Sequence, residues 1–97
     1  MSDDRPRRPH RFIRYTATAE AQLGAAIDEY ERVYEMVKSL EYLLERQPDN
    51  YLAQQLSTPN EDLWLIQLGG MPGRTPGIAF LYTWDDQEVH VIQALIL

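Results

Sequence analysis

The final third of the chain leaves the fewest folds open. Residues 62–68 (Asp-Leu-Trp-Leu-Ile-Gln-Leu), 78–84 (Ile-Ala-Phe-Leu-Tyr-Thr-Trp) and 89–97 (Val-His-Val-Ile-Gln-Ala-Leu-Ile-Leu) are three runs dense in β-branched, aromatic and aliphatic side chains. Such side chains suit a pleated, packed surface, and turn residues separate the runs, so the stretch reads as a three-stranded antiparallel meander. Residues 85–88, Asp-Asp-Gln-Glu, supply one turn, and the Gly/Pro-rich residues 69–77 supply a longer connection. Both parities of the middle run are apolar, with Ile78, Phe80, Tyr82 and Trp84 on one and Ala79 and Leu81 on the other. Much of both sheet faces is therefore expected to be covered by material from upstream.

That material is helical in pattern. Residues 19–46 contain no proline, and Gly24 is their only internal breaker. Apolar side chains recur at Leu23, Ile27, Tyr30, Tyr34 and Val37, with Ala26, Val33, Leu40 and Leu44 on the adjoining stripe, while Glu29, Glu31, Arg32, Glu35, Lys38, Glu41 and Glu45 take the other side. The pattern predicts one long helix, or two helices hinged near residues 36–39. Thr16 or Thr18 supplies an N-cap hydroxyl, and Glu20 suits the positive end of the helix dipole. Pro48 ends the helix, because proline biases the residue before it away from the helical region. Residues 51–57 read as one or two further turns, and residues 11–16 as a short first strand. The expected fold is α+β, with two layers in the order β-α(-α)-β-β-β. It forms a single domain over residues 11–97, after a flexible basic arm over residues 1–10 that carries Pro6 and Pro9.

Composition narrows the functional classes. Ninety-seven residues with 44% apolar content allow one modest core. There is no cysteine, so disulfide and thiolate chemistry are excluded. No apolar run approaches the roughly 20 residues that a membrane-spanning helix needs, and a cytoplasmic protein is expected. Residues 1–14 hold five arginines against two aspartates, net +3, whereas residues 15–97 hold four basic against thirteen acidic residues, net −9. The body repels phosphate backbones and only the arm attracts them. Within the arm and first strand, Arg11 and Arg14 are candidates for contacting a partner.

No strong catalytic or cofactor signature is present: no phosphate loop, no nucleophile elbow, and no His/Cys set at metal spacing. The expectation is no cofactor and no metal. Arg74, the only Lys or Arg after Arg46, sits in the long connection, where it either grips a phosphate or carboxylate or pairs with an acid of the body. His90 alternates with apolar neighbours, as a sheet-surface histidine does, and His90 or Tyr82 is the candidate to assist proton transfer. Trp64 and Trp84 either fill core or interface, or offer a stacking surface to a partner.

The order of elements and several short motifs resemble the RelE/ParE superfamily of small bacterial toxins, in its HigB-like or phage-derived branch. Arg14-Tyr15-Thr16 followed by residues 19–23 is similar to that family's first strand and helix start. Residues 63–67, Leu-Trp-Leu-Ile-Gln, resemble a family strand written Leu-Trp-Glu-Leu-Arg. Residues 78–82 resemble a strand ending in Arg-x-x-Tyr, and residues 89–97 resemble the closing strand. The resemblance implies a strand, two helices and a meander of three or more strands, together with a toxin-antitoxin heritage. It implies as partner an antitoxin that wraps the helices and sheet, with gyrase-like enzymes as targets of ParE-like action. The departures fall where chemistry would be: Gln67 and Ala79 stand where arginines are expected, and Leu97 precedes the lysine-bearing tail of many relatives. The leading expectation is thus a RelE/ParE-like protein that acts by binding protein. The alternatives are a ribosome-dependent messenger endoribonuclease using Arg74, His90 and Tyr82, and a self-associating module or homodimer that pairs along residues 89–97.

Overall fold

The computed structural model describes residues 10–56, 62–71 and 75–96. The chain forms β1 (Phe12–Tyr15), α1 (Ala17–Glu29), α2 (Glu31–Arg46), β2 (Ala53–Leu56), β3 (Leu63–Met71), β4 (Thr75–Trp84) and β5 (Glu88–Ile96). This is the α+β class that the pattern predicts, two helices packed on one sheet. The five strands lie in the order β1-β5-β4-β3-β2, antiparallel throughout except that β1 runs parallel to β5. A parallel neighbour needs a crossover, and the helices lie between β1 and the meander in sequence.

Thr16 starts α1: its hydroxyl oxygen accepts the Ala19 amide at 3.1 Å, and the same hydroxyl donates to the Ile92 carbonyl at 2.7 Å. One side chain thus closes a helix end and ties it to β5. The helical stretch breaks at Tyr30, which adopts extended angles (φ −131°, ψ 109°), and not near residues 36–39. Periodicity conceals the break, because the buried positions Ala19, Leu23 and Ala26 of α1 and Val33, Val37, Leu40 and Leu44 of α2 keep a helical spacing across it. Of the two stripes legible in the sequence, the structure buries the second along α2 and leaves Tyr34 52% exposed.

Three further expectations are corrected. Residues 53–56 pair with β3 as an edge strand instead of adding helical turns. Asn50 sets this up: its side-chain amide donates to the Gln47 carbonyl at 2.9 Å, and its Oδ1 accepts the Leu52 amide at 2.8 Å, which turns the chain out of α2 into β2. The glycine-rich connection is mostly sheet, since β3 runs to Met71 and β4 begins at Thr75, with Gly69 at φ 74° accommodating the path opposite Gly77. Finally, both helices cover the same sheet face. Ile66, Ile78, Phe80, Tyr82, Val89 and Val91 are fully buried there against Val33, Leu40 and Leu44, and the Tyr15 ring meets Phe80 edge-on at 6.0 Å. Among the described residues, no helix or strand packs on the opposite face.

Candidate functional site

The open face is set by strand register. Residues directly opposite in a ladder share a face, so Gln54, Leu65, Leu81 and Gln93 form one row across β2, β3, β4 and β5. Leu56, Leu63, Thr83, His90 and Arg14 form the next row, which extends to β1. Gln67, Ala79 and Leu95 make a third row. An extra residue in β5, where the register shifts between Leu81 and Tyr82, keeps the alternation correct on both sides of the bulge. At these positions β2, β3 and β4 carry only aliphatic, amide and hydroxyl groups, whereas water-facing strands usually present charge.

Among the described residues, charge on this face is confined to one corner. Glu88 lies beside Phe12, and Arg14 beside His90, across the β1–β5 pairing. One Glu88 oxygen takes the Arg14 guanidinium, and the other meets His90 Nε2 at 2.7 Å. Those two contacts, His90 first, hold the Glu88 carboxyl below the usual carboxylate range. The Asp85 carboxyl is lowered as well, chiefly because its Oδ1 accepts the Gln87 and Glu88 amides at 2.7 and 2.8 Å. The corner therefore carries an arginine already neutralised by a carboxylate, and supplies no surplus cation to a phosphate.

Of the expected catalytic group, Tyr82 and His90 lie on opposite faces of the sheet. Tyr82 is fully buried on the helix-covered face, and its hydroxyl donates to the Pro48 carbonyl. Burial pushes that hydroxyl further from ionising, so Tyr82 is a structural tyrosine and not a proton donor to a ligand. His90 is exposed on the other face. Arg74 lies outside the described residues.

Three of the four predicted partner-contact residues do come together, but on the helix side. The Arg11 guanidinium carbon sits 5.1 Å from the Trp84 ring centre, and Trp84 lies 6.1 Å from Trp64. Arg14, the fourth, is on the open face. Pairing along β5 is disfavoured by its position: β1 and β4 flank it, Thr16 takes the Ile92 carbonyl, and the Gln22 side-chain oxygen accepts the Ala94 amide at 2.8 Å. Sequence reasoning did not single out Glu88, which organises the corner, or Leu65 and Leu81, which centre the open face. The signal for the leucines was present in the apolar character of both strand parities. Among the described residues no group of three or more His, Cys, Asp or Glu is placed to hold a metal ion, and no helix is long and apolar enough to cross a membrane. Comparison with protein-family models, curated proteins and solved structures finds no match.

Proposed function

We propose that this chain is a RelE/ParE-like protein that acts by binding another protein, with the helix-free face of its sheet as the contact surface, and not by cutting RNA. The observation that carries the reading is the chemistry of that face. Leu63, Leu65, Leu81 and Leu95 project where cleavage of a phosphodiester would call for cationic groups. An element order of one strand, two helices and a four-strand meander agrees with what the resemblance implies. An aliphatic patch ringed by amides matches the apolar core and polar rim of protein interfaces, and the partner that best fits the resemblance is an antitoxin segment.

Co-expression with the product of the adjacent reading frame tests this. The expected result is a complex that co-elutes on gel filtration and is lost in Leu81→Glu. A chain that elutes alone and leaves growth unaffected on expression counts against the proposal. Among the described residues, the ribonuclease reading draws on the Arg14–Glu88–His90 corner. Ribosome-dependent messenger cleavage by the wild type, abolished in His90→Ala, would favour it over protein binding.

A further inference from the structure

Two properties of the open face bear on what covers it when no other protein is bound. Its central row reads the same from either end: Gln54 on β2, Leu65 on β3, Leu81 on β4 and Gln93 on β5, which is amide, leucine, leucine, amide. A patch with that order is complementary to a copy of itself turned end for end, apolar to apolar and amide to amide. The second property is where charge stands. Helices α1 and α2 together carry seven acids against three basic residues, net −4, and they pack on the other side of the sheet. Like charge therefore opposes self-association through the helix layer and spares the leucine rows. An aliphatic surface of this extent is unfavourable in water, which makes covering it worth free energy even before a foreign partner arrives.

We infer that a second copy of this chain covers the open face in the absence of another partner, sheet against sheet, about a two-fold axis running along the strands between β3 and β4. The inference rests on the reading of that face as a protein-contact surface. Such an axis lays β4 of one copy over β3 of the other and β5 over β2. Leu65 then meets Leu81 of the second copy, and Gln54 meets Gln93, each contact occurring twice. β1 has no counterpart beyond β2, so Arg14 and the Glu88 carboxylate it holds stay at the rim. Both acidic helix layers lie outermost, with two sheets packed about 10 Å apart between them, where salt screens their repulsion. Four strands about 4.8 Å apart and three rows about 7 Å apart give each copy roughly 400 Å² in projection. With side-chain relief counted on both copies the contact is roughly 1,000 Å², the low end of specific interfaces. A dimer of that size dissociates on dilution and yields to a tighter partner.

The chain contains no cysteine, so introduced thiols report the geometry. Gln54→Cys and Gln93→Cys each replace an exposed amide and leave the core untouched. A short bis-maleimide is expected to join the two single variants when they are mixed, and to give far less dimer with either variant alone. The axis sets position 54 over position 93 and separates like positions by three strand spacings, about 14 Å. Light scattering on the wild-type protein by itself should give a mass that climbs from one chain towards two with concentration, and Leu81→Glu should hold it at one. Three results overturn the inference: a single-chain mass at roughly 1 mM, a concentration that populates even a weak contact; a dimer that survives Leu81→Glu; or cross-linking of either cysteine variant alone as strong as that of the mixture. These measurements contain no other protein, so their failure leaves the binding of a foreign partner standing. Failed co-elution with the neighbouring product beside an intact dimer removes the foreign partner and keeps the second copy.

Discussion

At the scale of single residues, the buried hydroxyl of Tyr82 shows how function and structure divide the same residue types. Its bond to the Pro48 carbonyl joins the middle of the sheet to the turn after α2. Tyr82→Phe should cost about 1–2 kcal/mol by urea unfolding, since it removes one buried hydrogen bond and strands its acceptor. Glu88 gives a pH signature with a definite sign. Its folded pKa lies below the ordinary value of 4.5, so its contacts stabilise the fold above that value, and the stabilisation is lost as the pH falls through the folded value. Asp85 acts in the same direction from 3.8 downwards. Thermal unfolding followed through this acid range should show the midpoint falling with pH, and Glu88→Gln should flatten the part that belongs to the corner. Residue identity alone marked Arg11, Trp64 and Trp84 as candidates, and they do converge. Identity could not place Arg11 and Arg14 on opposite faces, because that follows from strand parity once β1 is in register with β5.

At the scale of elements, the legible parts are those whose signal is local. The meander was readable because each strand is a dense apolar run, and the start of α1 because a threonine stands before an acidic first turn. The break at Tyr30 was not readable: no proline or glycine marks it, and the apolar spacing runs through it. Edge strand β2 was missed for the opposite reason. Ala53-Gln54-Gln55-Leu56 has no strand propensity of its own, and it becomes a strand because Asn50 redirects the chain and β3 offers a free edge. Thr16 does two jobs with one side chain, capping α1 and holding the β5 edge beyond the end of β1. Thr16→Ala should destabilise by about 0.5–2 kcal/mol, and Thr16→Ser should recover most of it, because serine keeps the oxygen that performs both tasks. Denaturant unfolding of the two variants checks this. Faster amide exchange at Ala19 in the alanine variant would locate the loss at the helix start.

At the scale of the whole molecule, a chain of net charge −6 builds a sheet with one face under its helices and leaves a neutral aliphatic surface on the other. Its acids crowd the helices and the β4–β5 turn, so approach by a phosphate-bearing partner is opposed almost everywhere, while the leucine rows of the open face, away from the Arg14–Glu88–His90 corner, offer a protein apolar area without charge to desolvate. Phe80 and Leu81 let the two faces be tested one residue apart on the same strand. Phe80 is fully buried against the helices, whereas Leu81 stands half-exposed at the centre of the open face. Phe80→Ala should cost about 3–5 kcal/mol of stability. Leu81→Glu should change the unfolding midpoint far less, because it removes no packed core contact, yet it should abolish association through the face, as a charge buried in an apolar interface without a partner is strongly disfavoured. Equilibrium unfolding together with light scattering and partner binding separates the two. If Leu81→Glu left binding intact, the contact surface would have to lie on the helix layer, and the aliphatic character of the open face would need a different explanation.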